Sequence, residues 1–542
     1  MHVLAAQGRC YDRLRPRPTE STLNCFRQFG LTVASFFFAC LVAGCASAPP
    51  EQEALPPPSF ASAPRPDGVF SRIEETIRAK HGDEASGFRL LDRNSEALKW
   101  RLVLIDNASH SIDLQYYVWF GDAAGQLLMA RVIAAADRGV RVRVLFDDLN
   151  TMLIRMTSPE LRDAMLARID RHANIEVRVF NAWHERDWAG RAVEVAADFD
   201  RLNRRMHNKQ MVVDNRVAII GGRNIGNEYM GLNGEFNFHD LDVLGVGPVA
   251  RQASAVFDRY WNSKWVSRIP SSGASAASAL TAEMIGLPPA AAAHPAMQEL
   301  IAGARSWSAE VAALLESLSS GRSVVHTDAP SREAGKRNHM PEAFRALMRS
   351  ARREVLINNA YIIPDENFIS DLGELANRGV TVRILTNSLA SHDVPAVNAH
   401  YEGWRRDILR SGATLHEFRQ DPAIKEEFVD TAPVRSGFAG LHTKAMVIDR
   451  ERSFVGSMNL DPRSFIFNSE MGVVIDSAPV SEALAGRIER DMNPANSWQV
   501  TLAPDGALVW KSGAGERTTQ PARDSWQRVQ NVLFKLFPSS YY

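Results

Sequence analysis

Met206-His207-Asn208-Lys209-Gln210-Met211-Val212-Val213-Asp214 returns later in the chain as Leu441-His442-Thr443-Lys444-Ala445-Met446-Val447-Ile448-Asp449. Both stretches set His and Lys two residues apart and end on Asp. Read as strands with a side-chain period of two, they turn His and Lys to one face. Asp falls on the opposite parity, at the turns Asp214-Asn215-Arg216 and Asp449-Arg450-Glu451. The strands that come back, Val217-Ala218-Ile219-Ile220 and Ser453-Phe454-Val455, deliver Gly221-Gly222-Arg223-Asn224 and Gly456-Ser457-Met458-Asn459. Glycine lets the backbone come close, and Asn and Ser supply neutral donors.

Upstream of each copy stands a second matched pair. Ala136-Asp137-Arg138-Gly139-Val140-Arg141-Val142-Arg143-Val144-Leu145 corresponds to Ala376-Asn377-Arg378-Gly379-Val380-Thr381-Val382-Arg383-Ile384-Leu385. Each reads as a helix end, a glycine stop and a buried strand. Two landmarks in the same order mark an internal duplication. Around the first, residues 111–119 have strand composition, 126–138 helical periodicity and 140–145 strand character again. The pattern predicts an α/β fold of two pseudo-symmetric lobes, each a mixed sheet flanked by helices, with one shared active site. The expected first lobe is 67–268 and the second 321–490. Residues 269–320 read as a linker with a helical insertion from Met297, and 491–542 as a C-terminal extension. There, Trp526, Val529, Val532, Leu533, Leu536 and Phe537 follow near-helical spacing. They predict an amphipathic helix whose apolar side packs on the body rather than on lipid.

Two imidazoles, two ammonium groups and several neutral donors suit a phosphodiester. Its phosphorus is shielded by negative charge, so attack requires neutralisation of the non-bridging oxygens. Lys209, Lys444, Asn224, Ser457 and Asn459 can supply this without a metal ion. In-line displacement needs a nucleophile and an acid on opposite sides of phosphorus. His207 and His442, related by a pseudo-two-fold axis, would fill those roles through a phosphohistidine. The residues alone do not order them. A carboxylate on the second ring nitrogen orients such imidazoles. Asp240 and Glu470, each on the strand after its own motif, are the candidates, with Asp242 an alternative in the first half. No metal is expected, since each motif sets a lysine beside its histidine, and no cofactor is expected.

The chain has 542 residues, 45% hydrophobic and 23% charged, which suffices for two lobe-sized cores. Its net charge of -1 gives no global basic field, so nucleic acid is not an expected partner. All four cysteines, Cys10, Cys25, Cys40 and Cys45, precede the body, which therefore has no disulfide framework and no thiolate metal site. The apolar stretch 29–43 follows Arg27 and falls short of the roughly 20 residues a spanning helix needs, the build of a signal peptide over 1–44. The small residues before Cys45 resemble the bacterial lipobox. That implies a lipidated Cys45 and a lipoprotein of the cell envelope facing the periplasm, on the outer or the inner membrane. Residues 45–66, with Pro56-Pro57-Pro58, read as anchor and tether.

Both copies of the His-x-Lys-x-x-x-x-Asp signature resemble the phospholipase D superfamily, over nearly the whole mature chain. More narrowly, Gln115-Tyr116-Tyr117-Val118-Trp119, Asp137-Arg138-Gly139-Val140-Arg141, Gly221-Gly222-Arg223-Asn224-Ile225-Gly226, Thr386-Asn387-Ser388-Leu389 and the run 456–464 are similar to the bacterial cardiolipin synthase C type. The resemblance implies a transferase that passes a phosphatidyl group through a phosphohistidine to another phospholipid's headgroup hydroxyl. Phosphatidylglycerol and phosphatidylethanolamine are the implied lipid partners; no protein partner is readable. A hydrolytic phospholipase D would carry the same residues, and a family nuclease or a non-catalytic envelope lipoprotein are weaker alternatives. The resemblance also implies His207 as nucleophile and His442 as acid. It counts Asp214 and Asp449 with the catalytic residues, whereas their parity makes them turn formers. His392-Asp393, at the end of a predicted parallel strand, either lines the headgroup pocket or faces solvent.

Overall fold

The computed structural model describes residues 56–148, 159–185, 188–269, 279–281, 292–303, 307–330 and 338–538. The leader and Cys45 lie outside them. Among the described residues, eighteen strands rich in Val, Ile and Leu form one continuous mixed sheet. Neighbour to neighbour, its first half runs Val266–Arg268, Ile175–Phe180, Arg141–Asp147, Ser111–Tyr116, Gln210–Val213, Val217–Gly221, Asp242–Val246 and Ser86–Leu91. The second half repeats this order outward from the middle: Ser319–Thr327, Met471–Asp476, Arg452–Gly456, Lys444–Ile448, Glu354–Asn359, Thr381–Asn387, Thr414–Phe418 and Ser497–Leu502. Antiparallel pairing of Ser86–Leu91 with Ser319–Thr327 joins the halves. The hairpin Leu508–Ser512 and Gly515–Arg517 extends the far edge.

Local chemistry repeats with the topology. Asp122 caps helix Ala123–Asp137 by accepting the Gly125 N–H at 3.1 Å, and Asp365 caps Glu366–Asn377 by accepting the Phe368 N–H at 2.8 Å. Gly139 and Gly379, just past the two helices, take φ of 95° and 77°, a turn that a side chain would strain. Separate apolar cores pack the outer helices of each half. A third core lies between them: helices Pro248–Trp261 and Ala478–Asp491 fill it together with inward residues of both halves of the sheet, such as Val212, Ala218, Leu356 and Val447. The lobes therefore share buried apolar surface, and neither presents a finished exterior there.

Three expectations need correction. The second lobe does not end at 490, because Ser497–Leu502 pairs with Thr414–Phe418 as Val266–Arg268 pairs with Ile175–Phe180 in the first. The described end of the tether is bound to the body. Its extended backbone leaves peptide groups unpaired, and Ser59 C=O accepts from Arg143 at 3.0 Å, Pro57 C=O from Arg178 at 2.6 Å, while Ala61 N–H donates to Asp258 at 2.9 Å. The C-terminal helix Ser525–Phe534 packs by its polar side, with Gln527 and Asn531 buried and its apolar residues exposed. Among the described residues no helix is long and apolar enough to cross a membrane. The helical insertion is present as Gln298–Gly303 and Ser308–Ser317, seated on the first core through Met297, Val311 and Leu314.

Candidate active site

The ladder expected to start at Met206 starts at Gln210. Residues before it run beside the opposite lobe instead. Met206 pairs in parallel with Ser469, His207 N–H donates to Ser469 C=O at 2.8 Å, and Ser469 N–H donates to Arg205 C=O at 2.8 Å. In the second copy, strand Phe438–Leu441 pairs in parallel with Phe236–His239, and His442 N–H donates to His239 C=O at 2.8 Å. Glu470 follows Ser469, and Asp240 follows His239. This register delivers each carboxylate to the imidazole of the other lobe. His207 Nδ1 lies 2.8 and 2.9 Å from the Glu470 oxygens, and His442 Nδ1 lies 2.6 Å from Asp240 Oδ2. The pairing within each half that chain order suggests is thus replaced by an exchange between halves. Asp242 is no alternative, since its carboxylate is taken by Arg101 at 3.0 Å and Arg223 at 3.2 Å.

Both motif entries are held by the residue that ends the duplicated strand. Asp147 accepts the Met206 N–H at 2.7 Å; Asn387 accepts the Leu441 N–H at 2.9 Å and donates to Leu441 C=O at 2.7 Å. Motif reading missed these two. The available signal was their matched position at the end of the repeated strand.

Lys209 Nζ donates to His207 C=O at 2.6 Å and sits over the Tyr117 ring; Lys444 Nζ donates to His442 C=O at 2.6 Å and sits over the Tyr361 ring. Burial lowers both ammonium groups, Lys209 to about 7 and Lys444 to about 8. Burial followed by Lys209 and Lys444 holds His207 well below the ordinary imidazole value. Burial, Lys444 and then Lys209 bring His442 to about 3. Each imidazole therefore feels the lysine of the other copy, and the two motifs form one electrostatic site. Neutral rings can donate from Nδ1–H to the carboxylate and keep the Nε2 lone pair. The carboxylates differ: burial raises Glu470 to about 7, with Lys209 and Ser457 opposing, whereas His442, Lys444 and Arg223 outweigh burial and keep Asp240 below the usual range.

Of the expected phosphate donors, two are committed within the protein. Ser457 Oγ donates to Glu470 at 2.5 Å. The Asn224 amide donates to Tyr229 Oη at 3.0 Å while its carbonyl accepts the Val118 N–H at 3.3 Å. Asn459 is buried, and its Oδ1 has no hydrogen-bond partner among the described residues. Asp214 accepts the N–H groups of Ser109, His110 and Ser111, and Asp449 those of Arg352, Arg353 and Glu354. Both sit at positive φ, 53° and 54°. They lock the hairpin to the neighbouring strand and do not bond either imidazole. Arg463, not foreseen, adds a third cation acting on His207 and on Tyr117. On the other side Asp393 accepts the Tyr361 hydroxyl at 2.7 Å, and His392, buried, stacks on Tyr361 with centroids 5.1 Å apart.

Residues 102–261 and 344–492 match the family described as "Cardiolipin synthase, PLD-like domain". The chain is 35% identical to cardiolipin synthase C of Escherichia coli K12, over 83% of this chain and 94% of that protein. It is 26% identical to E. coli cardiolipin synthase B, covering 83% of this chain and 87% of the relative. Among solved structures, the phosphatidylserine synthase of Haemophilus influenzae superposes with a TM-score of 0.51 at 14% identity, covering 78% of this chain and 91% of that one, a likeness of fold. Two family segments, one on each half of a duplicated sheet whose motifs meet in a single buried site, place the chain in the cardiolipin synthase family of the phospholipase D superfamily.

Proposed function

We propose that this protein is a phosphatidyltransferase that makes cardiolipin at the membrane of a bacterium, with His207 as nucleophile and His442 as acid and base. The observation that carries the ordering is the difference between the exchanged carboxylates. Asp240 stays ionised 2.6 Å from His442 and stabilises an imidazolium there, as an acid needs. Glu470 is raised to about 7, so it supports charge on His207 less and leaves that ring a neutral nucleophile.

In the reaction, Nε2 of His207 attacks phosphorus of a phosphatidylglycerol while Lys209 and Lys444 neutralise the non-bridging oxygens. The phosphate's negative charge offsets the lysines that depress His442, which lets this ring take up a proton. The bond from phosphorus to the glycerol oxygen breaks, and His442 gives that oxygen its proton. Glycerol departs and the phosphatidyl group remains on His207. A hydroxyl of a second phosphatidylglycerol then loses its proton to His442 and attacks phosphorus, which releases His207 and yields cardiolipin. Asp393, Tyr361 and His392 beside His442 supply acceptors and donors for the hydroxyls of the departing and entering headgroups. Ser457 acts by holding Glu470, and Cys45 attaches the chain to the envelope membrane through its lipid.

The test is incubation of purified protein with phosphatidylglycerol, with and without phosphatidylethanolamine, followed by mass spectrometry of lipid and headgroup products. Cardiolipin with released glycerol or ethanolamine is expected. Phosphatidic acid as the sole product would mean that water, not lipid, resolves the intermediate.

A further inference from the structure

Helix Ser525–Phe534 is amphipathic, yet its polar side holds the body. Gln527 Nε2 donates to Leu389 C=O at 2.5 Å, Asn398 donates to Asn531 at 2.7 Å, and Asn531 donates to Glu402 at 2.8 Å. Trp526, Val529, Val532 and Leu533 point away and are 46–62% exposed, and Leu536 beyond them is 81% exposed. A soluble surface rarely leaves so many large apolar groups in one row without a use.

We propose that this row is an interfacial anchor and that its occupant is the surface of an anionic phospholipid bilayer. The proposal rests on the phospholipid-transferring reading of the site and adds how the site reaches its substrate. The composition is that of a helix lying in a membrane interface: Trp526 and five aliphatic or aromatic neighbours, Val529, Val532, Leu533, Leu536 and Phe537, are exposed together, with exposed Arg528 on the flank and Lys535 paired to Glu402 of the body. Its position is continuous with the site. Arg523, just before the helix, donates to Ala390 C=O at 2.6 Å and His392 C=O at 2.9 Å, and His392 stacks on the Tyr361 ring that lies beneath Lys444. Another exposed apolar residue, Ile466, stands in the turn Arg463–Phe467, whose arginine acts on His207. Exposed apolar residues therefore stand on the segments that carry Arg523, bonded to His392, and Arg463, which acts on His207. A second copy of the chain fits less well, because one ten-residue helix face offers less than the roughly 1,200 Å² that stable protein pairs bury.

Two measurements on the full chain test this. On vesicles of phosphatidylglycerol and phosphatidylethanolamine with brominated acyl chains, a quenched fraction of tryptophan fluorescence is expected in the wild type and lost in Trp526→Phe. Equal quenching in both overturns the proposal. In the variant Val529→Ser/Val532→Ser/Leu533→Ser, turnover of vesicle substrate should fall by about tenfold or more, while turnover of monomeric short-chain phosphatidylglycerol stays. An unchanged vesicle rate, an equal fall on both substrates, or self-association lost in the variant without any quenching in the wild type would each overturn it. Wild-type protein inactive on both substrates would sink the transferase reading instead, and the quenching would still decide the anchor.

Discussion

The two copies of the motif share their backbone and differ in the company their imidazoles keep. Around His207 stand Glu470, raised toward neutrality and bonded by Ser457, and the cation Arg463. Around His442 stand ionised Asp240 and, beyond Tyr361, Asp393. Where the second copy has Ser457, the first has Gly222, and a Cβ there would lie 2.3 Å from Asp240 Oδ1. One lobe thus clears space for its carboxylate while the other gives its carboxylate a donor. A duplicated scaffold supplies symmetric placement, and unlike neighbours give the two imidazoles different surroundings.

The largest test removes each imidazole. His207→Ala should lower kcat by about 10⁴ or more, and His442→Ala by about 10²–10⁴. With a p-nitrophenyl phosphodiester, whose leaving group needs no acid, His442→Ala should still form and accumulate phosphoenzyme and His207→Ala should form none. The reverse pattern would exchange their roles.

The carboxylates sharpen the comparison. On the proposed ordering, Asp240 supports a charged ring more than Glu470 does, so Asp240→Asn should cost about 10²–10³ in kcat and Glu470→Gln about tenfold; equal losses would erase the distinction. Glu470 also carries a stability signature. Its folded value of about 7 lies above the ordinary 4.5, so its favourable contribution is complete below pH 4.5 and is lost as pH rises to about 7. Denaturant midpoints of the wild type should decline relative to Glu470→Gln across that window. Parallel profiles would refute the raised value.

The smallest effect on chemistry is expected where the copies are most alike. Asp214→Asn and Asp449→Asn keep a residue tolerant of positive φ but weaken bonds to three N–H groups. Each should cost about 1–3 kcal/mol of stability with kcat within about twofold. A kcat loss matching the histidine variants would return these residues to the chemistry.

Much of this was legible in order and spacing. The repeat 136–145 and 376–385 announced two α/β halves, because a helix stop followed by a buried strand is encoded locally by glycine and by hydrophobic period. His and Lys two apart marked the residues that the fold gathers into one buried cluster. The parity that put Asp214 and Asp449 at turns agrees with their positive φ. Partner choice was not legible. Glu470 bonds His207, 263 positions away along the chain, and nothing local distinguishes that from bonding its nearer imidazole. Ser457 and Asn224 looked like ligands because composition reports donors and not where they point. The C-terminal helix had the right amphipathicity, but periodicity does not say which side meets the body.

The sequence by itself determined the two lobes, the histidines and lysines of the site, and the hairpin-forming aspartates, since each depends on residues a few positions apart. Only the tertiary structure decided that the carboxylates cross between lobes, because parallel pairing of Met206 with Ser469 and of Leu441 with His239 is set by the apolar core between the halves. It also decided that the apolar row at 526–537 faces outward, because Gln527 and Asn531 find buried partners on the body that its apolar residues could not replace.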